Sequence, residues 1–486
     1  MNYIGEHLWA AELGRGLTAF SFAFALLSAI AYYQKGTQWK TLGRLAFRIH
    51  ATTLFGLIGT LFFIMANHYF EFDYVWKHTS LDLEPRYLFS AFWEGQEGSF
   101  LLWMFWNAIL GWILTYSAKS FEGPVVGVFA AVQAFLVSMI LGVYIGDLHL
   151  GYSPFILVRE LSENVGLPWT QFADYLTRFP NFADGSGLNP LLQNYWMTIH
   201  PPTLFLGFAS TLVPFSYAIA ALLRKDYKSW INSALAWSFF SVGILGVGIL
   251  MGGAWAYEAL SFGGFWAWDP VETGSFLPWL ALVLMGHLRT RPGKTSTLMW
   301  TGLGLAAGAL ALFATLVTRA GGVWAASVHT FVVKDDGTPP TDVFSRMLLL
   351  KDKSEGVEIV SYVLVILLLC GVFIRATQGQ TKRPLSYLFF IPIVGAAIAV
   401  LFDYASYEHV PALFFVGVVF SPTLIEWPKK NLVPEEDVWS YRGYLSLPWL
   451  LIVPLMAYVL TQDLLFTLLN ALIFAPLYTS DDARKA

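Results

Sequence analysis

The chain has 486 residues, of which 56% are apolar and only 13% are charged, and its mean hydropathy of +0.57 lies above the range of soluble domains. This composition excludes a soluble globular protein. With a net charge of −4, it also offers no basic face for a nucleic acid. We predict an all-α polytopic membrane protein that forms a single integral membrane domain over residues 1–486, surrounded by membrane lipids.

Apolar runs long enough to cross the hydrocarbon core, roughly 17 to 25 residues each, recur along the whole chain. They predict about 13 transmembrane helices, at 12–30, 48–66, 100–117, 124–146, 201–223, 231–251, 272–288, 297–318, 356–375, 384–402, 409–425, 444–461 and 463–479.

The distribution of basic residues predicts the orientation of these helices. The first ten residues contain no Lys or Arg, so a cleavable signal peptide is not expected and the first helix should remain. Lys and Arg concentrate in alternate loops, which places the N-terminus outside and the C-terminus in the cytoplasm. Near the outer end of the first helix, Glu12 and Arg15 are spaced to pair with each other. The predicted outside loops are 67–99, 147–199, 252–275 and 319–355.

A Trp-rich segment, residues 252–280, lies between two predicted helices and reads GGAWAYEALSFGGFWAWDPVETGSFLPWL. Its DPVE portion is typical of a helix start. Asp269 can cap the first N–H groups, Pro270 suits the first helical position, and Glu272 can complete a capping box.

The tryptophans of this segment allow two interpretations. Each of Trp255, Trp266 and Trp268 can be an interfacial anchor, since tryptophan gathers in aromatic belts at the membrane surface. Taken together, however, the rings lie close in sequence and are bracketed by glycines at 252–253 and 263–264, which let backbone or a flat ligand approach closely. We call Trp255, Trp266 and Trp268 the Trp shelf. It suits a large planar ligand with charged edges, and haem is the obvious candidate.

Two histidines flank the Trp-rich segment on the predicted outer side. His200 precedes a pair of prolines that restrict its backbone, and His329 follows the predicted helix 297–318. A lone histidine at an interface is more often a surface group than a ligand. A pair that brackets an aromatic shelf instead favours axial ligands of haem.

Several spaced motifs together carry a family resemblance over residues 50 to 333. The segment WAWDPVETGSFLPWL resembles the "WWD" signature of haem-handling proteins, and the remaining motifs follow the order of CcmF-type subunits of the cytochrome c haem lyase. These motifs are EGQEGSFLLW, NPLLQNYWMTIHPPTLFLGF, GGAWAYEALSFGGFWAWDPVETGSFLPWLALVLMGH and SVHTF.

The resemblance implies roles for individual histidines. His200 and His329 are expected to ligate the delivered b-type haem, and His287 is expected to ligate a second b-type haem in the membrane. The chain departs from the family toward its C-terminus, where no AHLG-like segment with the second membrane histidine is found. Its place falls to His50, at a depth similar to that of His287, or to a separate chain, which is slightly favoured.

The resemblance also implies a reaction, in which two thiols of an apocytochrome CxxCH motif add across the vinyl groups of haem. The only cysteine is Cys370, so the sulfur must come from the substrate. The protein would position haem through the two histidines, the Trp shelf and Asp269. Three further candidates for the haem edge are Arg319, Trp93 and Glu97, with snorkelling (Arg319) or helix capping as their alternatives.

The same resemblance implies a bacterial inner membrane and three kinds of partner: apocytochrome c, a CcmE-like haem chaperone and CcmH-like thioredoxin-related subunits. Two other classes remain open. A haem exporter or chaperone-loading protein shares the Trp-rich segment and flanking histidines, but is generally shorter and lacks EGQEGSFLLW. An ion or proton transporter should show more ionisable groups at mid-membrane than this sequence does.

Overall fold

The computed structural model describes residues 3–145, 148–260, 264–290 and 297–319. These residues are nearly all helical, which confirms the predicted fold class. The α-helices are α1 Leu8–Tyr33, α2 Thr37–Ala66, α3 Asp73–His78, α4 Leu88–Glu94, α5 Gln96–Ser117, α6 Glu122–Ser138, α7 Tyr175–Arg178, α8 Tyr195–Arg224, α9 Ile231–Ala259, α10 Pro270–Thr290 and α11 Thr297–Arg319. Single turns of 3-10 helix occur at Pro85–Tyr87, Lys119–Phe121, Val158–Glu160, Pro168–Gln171, Pro180–Phe182 and Pro190–Leu192.

Seven of the helices among the described residues are long and apolar enough to cross a membrane, so the protein is membrane-integral. They are α1, α2, α5, α6 with its preceding turn, α8, α9 and α10, and α11 contains a shorter apolar stretch. Each of the eight segments predicted between residues 12 and 318 overlaps one helix. The five predicted between 356 and 479 lie outside the described residues.

Helix α6 ends eight residues before the predicted end of its span. A short antiparallel hairpin follows, in which β1 Val143–Ile145 pairs with β2 Leu148–Leu150. The returning chain covers the end of α6, because the Tyr152 N–H donates to the Met139 carbonyl at 3.1 Å. Gly151 has a φ of +68°, and a Cβ there would lie 2.5 Å from the Ser138 carbonyl oxygen. A bulkier residue would therefore push this crossing away from the helix.

Helix α9 continues eight residues beyond its predicted end and stops at Ala259. Gly252, Gly253 and Trp255 are therefore helical and do not belong to a loop. Helix α8 likewise begins at Tyr195, so that His200 lies inside the helix and not before it. Glycine costs about 1 kcal/mol in a helix, and tertiary contacts at these positions, described below, account for its presence.

The chain divides into two compact units. Unit 1 comprises Met1–Ser216 and Phe240–Ala267, and unit 2 comprises Tyr217–Phe239 and Trp268–Ala486.

In unit 1, helices α1, α2, α5 and α6 pack side by side. Rings seated on glycines bring these helices close together. A Cβ on Gly43 would lie 2.9 Å from the Tyr32 ring, and one on Gly111 would lie 2.7 Å from the Phe47 ring. Close van der Waals packing at small residues is the main source of helix association in a membrane. One end of the bundle is tied by a buried carboxylate, Glu122, whose oxygens contact Lys40, Arg44 and Tyr32.

The long segment between β2 and α8 folds back onto the start of α1. The Phe155 ring covers Gly14, and the Arg15 guanidinium donates to the Phe155 carbonyl at 3.0 Å and pairs with Glu160. Arg15 therefore pairs with Glu160, and the predicted pairing with Glu12 is wrong. The Glu160 carboxylate also accepts the Leu157 N–H at 3.1 Å, so the returning segment holds it beside Arg15.

A second ion pair, between Glu6 and Arg159, anchors the same segment. The Glu6 side chain is fully buried, and the guanidinium donates to both of its oxygens at 2.6 and 3.0 Å. The Tyr175 hydroxyl donates to Glu6 at 3.0 Å. Burial, together with the nearby carboxylate, raises the pKa of Tyr175, so the phenol remains a donor.

In unit 2, α10 packs against α11. A Cβ on Gly274 would lie 3.3 Å from the Ala314 Cα, so the two helices approach closely where both side chains are small. Gly286 packs against the Phe239 ring, since a Cβ on Gly286 would lie 3.0 Å from Phe239 Cε1.

The Gly14 contact gives a direct test of this packing. We expect Gly14→Ala to lower the free energy of unfolding by about 1–3 kcal/mol, because its Cβ would lie 2.5 Å from Phe155 Cδ2. Gly16→Ala is the matched control on the same helix, since nothing lies within 4 Å of that position. Thermal unfolding in detergent measures both, and equal midpoints for the two variants would contradict the contact.

Candidate functional site

The EGQEG motif forms the turn between α4 and α5 in unit 1. Two rings require glycine at position 95, and a backbone carbonyl requires it at position 98. A Cβ on Gly95 would lie 2.5 Å from the Tyr74 ring and 2.6 Å from His78 Nε2, and one on Gly98 would lie 2.7 Å from the Phe92 carbonyl carbon. The motif is therefore a compact backbone turn that closes over two side chains of α3.

Tyr74 and His78 were missed by the sequence analysis, since nothing in the sequence of α3 links it to EGQEG. The His78 Nδ1–H donates to Glu94 at 2.8 Å, and the Tyr74 hydroxyl donates to the Phe92 carbonyl at 2.7 Å. Burial, followed by the nearby carboxylates of Glu97 and Glu94, raises the pKa of Tyr74 well above its usual value. Glu97 thus lies in the first turn of α5, beside a neutral phenol.

Trp93 connects this turn to the helix that carries His200. Its indole N–H donates to the Met197 carbonyl at 2.9 Å. In a regular helix that carbonyl would accept the N–H of residue 201, but proline has none. The Trp93 indole supplies the donor that Pro201 lacks. A buried carbonyl left without a donor costs about 1–3 kcal/mol, so Trp93 stabilises α8 one turn before His200.

His200 itself is partly buried and faces α9. Its Nδ1 lies 2.8 Å from the Gly248 carbonyl oxygen. A carbonyl only accepts, so Nδ1 carries the proton, and in the neutral ring the lone pair is on Nε2. This is the form in which an imidazole binds a metal ion.

Trp255 is only 8% exposed and packs with Met197 and Ala256. Its indole N–H is 3.3 Å from the Leu191 carbonyl, just before α8. Unlike an open shelf ring, Trp255 supports the start of the helix that carries His200.

The chain after α9 returns along the helix, as the glycines of the Trp-rich segment predict. A Cβ on Gly253 would lie 2.8 Å from the Phe265 carbonyl oxygen, so this close return needs glycine. The Phe265 and Tyr257 rings stack with centroids 4.4 Å apart and an angle of 2° between them. Both are more than half exposed, and Trp266 beside them is partly buried.

In unit 2, the segment continues with Trp268, whose φ of +56° is unusual for a side chain of this size. Its ring is 45% exposed. Such backbone conformations cost about 1–3 kcal/mol and concentrate at functional sites.

The predicted helix start at Asp269 is confirmed. The Asp269 carboxylate accepts the Val271 N–H at 2.8 Å, and Glu272 accepts the Asp269 N–H at 3.2 Å. This capping box fixes where α10 begins.

His287 is exposed and lies 17 residues along α10 from Pro270. At about 1.5 Å per residue, it is roughly 25 Å from the capped end of the helix. Its Nδ1 is 2.9 Å from the Val283 carbonyl one turn back, so in the neutral ring the lone pair is again on Nε2.

His50 lies in α2, in unit 1, and is completely buried. Its Nδ1 lies 3.0 Å from both the hydroxyl and the carbonyl of Ser21. Within the described part of the chain, its Nε2 has no hydrogen-bond partner.

His329 lies outside the described residues, and of Arg319 only its place at the end of α11 is described. The described residues contain no cluster of three or more His, Cys, Asp or Glu side chains suited to a metal ion. A single imidazole suits haem, because the porphyrin already supplies four ligands to the iron.

Comparison with known proteins supports the motifs. Residues 93–323 match the family model described as cytochrome C assembly protein. The cytochrome c-type biogenesis protein CcmF of Pseudomonas fluorescens is 32% identical over 351 residues, which are 71% of this chain and 49% of that protein. CcmF of Escherichia coli is 31% identical over 327 residues, which are 66% of this chain and 47% of that protein. The chain spans about half the length of the curated relatives it matches.

A solved structure of a cytochrome c haem lyase CcmF has the same fold, with a TM-score of 0.52 and 21% identity over 93% of this chain and 71% of that one. The shared family model and relatives lead to one conclusion: the chain belongs to the CcmF-type proteins of the cytochrome c assembly family.

Proposed function

We propose that this protein is the haem lyase subunit that positions haem for covalent attachment to the CxxCH motif of apocytochrome c. The observation that carries the proposal is how firmly His200 and its helix are held. Its Nδ1 proton is held by a backbone carbonyl, and its helix is fixed by Trp93 from the EGQEG turn and by Trp255 from the Trp-rich segment. One imidazole is thus supported by its own motif, by the Trp-rich segment and by Trp93, the residue that immediately precedes EGQEGSFLLW.

The reaction is an addition, in which a C–S bond forms at one vinyl carbon and the thiol hydrogen ends on the other. No net oxidation occurs, and the substrate supplies the sulfur. What the protein contributes is orientation, which alone accounts for much of the rate enhancement in such reactions. His200 and His329 hold the delivered haem iron, and Trp266 and Trp268 lie along its ring. Trp255 supports the start of α8, which carries His200, and Asp269 fixes the start of α10, directly after Trp268.

Three further side chains complete the proposal at the haem edge. Trp93 acts through the start of α8, Glu97 lies in the turn beside Tyr74, and Arg319, at the end of α11, meets a propionate. Of these, Trp93 has the strongest support, since its indole N–H replaces the donor that Pro201 lacks.

A second, b-type haem within the membrane would supply the electron that keeps the delivered iron ferrous. His287 fits an axial ligand, since it is exposed and its Nδ1 is directed at a carbonyl of its own helix. Its partner is either His50 or a residue of a separate chain. The complete burial of His50 beside Ser21 favours the separate chain.

The setting proposed is the bacterial inner membrane, with the N-terminus outside and the C-terminus in the cytoplasm. The partners proposed are apocytochrome c, a CcmE-like haem chaperone, CcmH-like subunits and a chain that completes the C-terminal region.

The alternative is a haem exporter or chaperone-loading protein, which would also use His200 and the Trp-rich segment. The link from the EGQEG turn to α8 through Trp93 favours the lyase. Absorption spectra separate the classes. A b-type spectrum excludes an ion transporter, and a second haem site distinguishes a lyase from a carrier.

The first prediction concerns the two outer histidines. We expect His200→Ala and His329→Ala each to abolish cytochrome c maturation, because each removes one side of the haem clamp, while the protein still inserts. Holocytochrome yield by haem staining measures the effect, and immunoblotting of membranes controls for insertion. A normal yield in both variants would refute the proposed function.

The second prediction concerns the Trp shelf. The double variant Trp266→Ala, Trp268→Ala should carry less haem after purification, because each lost ring removes an aromatic contact worth about 0.5–1.5 kcal/mol. Asp269→Asn should retain most of the haem, because asparagine also caps a helix and its effect is confined to the start of α10. Equal haem content in the double variant and the unmodified protein would reject the shelf.

The third prediction assigns the membrane haem. We expect His287→Ala to lose the b-haem spectrum, both alone and when co-purified with its neighbouring subunits. If His50 is the second ligand, His50→Ala should lose the spectrum as well. If a residue of a separate chain is the second ligand, only His287→Ala should lose it. An undiminished b-haem signal in His287→Ala would overturn the assignment.

A further inference from the structure

One turn of α9 seats the His200 imidazole, and we propose that Gly252, together with the Gly248 carbonyl, is the positioning element for this ligand. The proposal rests on the role proposed for His200 above. It adds two backbone positions of α9 to the site, neither of which bears a side chain.

The hydrogen bond from His200 Nδ1 to the Gly248 carbonyl, at 2.8 Å, fixes the tautomer. Partners of this kind also set the rotation of an imidazole about its own axis and raise the basicity of its other nitrogen. In metalloproteins their loss typically weakens binding by about 10- to 100-fold. The geometry therefore directs Nε2, not Nδ1, toward the iron.

The imidazole reaches this carbonyl only because residue 252 has no side chain. A Cβ there would lie 2.7 Å from His200 Cε1, 3.1 Å from Nε2 and 3.3 Å from Nδ1. These three are the nearest atoms to that position, and all belong to the imidazole. The absent side chain of Gly252 thus leaves space that the His200 ring fills.

Two other glycines bring α8 and α9 close enough for the bond to form. A Cβ on Gly207 would lie 2.7 Å from the Leu245 Cα, and one on Gly248 would lie 2.8 Å from the Leu204 Cα. These contacts are with backbone, so they set the distance between the helices. Gly252 differs from both, since its space is filled by the ligand's own side chain.

The experiment compares Gly252→Ala with Gly243→Ala in the full-length protein, purified in detergent and titrated with haem b. Gly243 lies on the same helix with nothing within 4 Å, so its substitution is the matched control. We expect Gly252→Ala to weaken haem binding by about 10- to 100-fold, to shift the Soret band and to lower the melting temperature of the haem-free protein. Gly243→Ala should match the unmodified protein in all three.

A double variant separates positioning from general packing damage. Once His200→Ala has removed the ring, the methyl group at residue 252 has space, so His200→Ala, Gly252→Ala should melt at the same temperature as His200→Ala alone. This arm also covers the case in which Gly252→Ala by itself fails to fold. An equal fall in melting temperature with and without the ring, or unchanged haem binding in Gly252→Ala, would overturn the proposal.

The two hypotheses fail in different ways. If His200→Ala and His329→Ala both leave cytochrome c maturation intact, the proposed function is wrong. If His200→Ala abolishes maturation and Gly252→Ala does not affect haem binding, the function stands and the positioning role is wrong.

Discussion

Aromatic and imidazole rings seated directly on glycine backbone are the contact on which unit 1 depends. The same arrangement recurs at Gly43 under Tyr32, Gly111 under Phe47 and Gly252 under His200. In lipid, helices gain little from hiding apolar surface, since the surrounding tails are equally apolar, and close packing must hold them together instead. A ring placed where a Cβ would be gives the largest contact at the shortest distance. The bundle and the candidate haem ligand are therefore built by one kind of contact.

The tryptophans in this part of the chain include buried ones that donate to a backbone carbonyl and an exposed one. Trp93 and Trp255 are buried, and each donates to a carbonyl at or just before the start of α8. Their role is structural, although Trp255 belongs to a motif that resembles haem-handling proteins and Trp93 immediately precedes another such motif. Among the described residues of the Trp-rich segment, the rings of Tyr257, Phe265 and Trp268 are exposed. An aromatic segment that looks uniform in sequence thus contains supports as well as a surface.

The sequence predicted those features that arise within a few residues. The helices followed from the length of apolar runs, and the capping box at Asp269 and Glu272 followed from their three-residue spacing. The end of α9 was not predicted, because consecutive glycines such as Gly252 and Gly253 are typical of the end of a helix. Their absent side chains instead serve His200 and Phe265, and neither contact is visible locally. Arg15 is a similar case, since its partner Glu160 is 145 residues away.

The acceptor partner of His200, the Gly248 carbonyl, lies 48 residues further along the chain, which has a consequence for synthesis. At about 5–20 residues per second, His200 exists for about 2 to 10 seconds before the Gly248 carbonyl is made. During that time the imidazole has no fixed tautomer or orientation from α9. The growing chain consequently acquires the imidazole geometry proposed for haem binding only after α9 has been made and has packed against α8. Under the proposed function, the order of translation alone would then disfavour capture of haem by a half-made subunit.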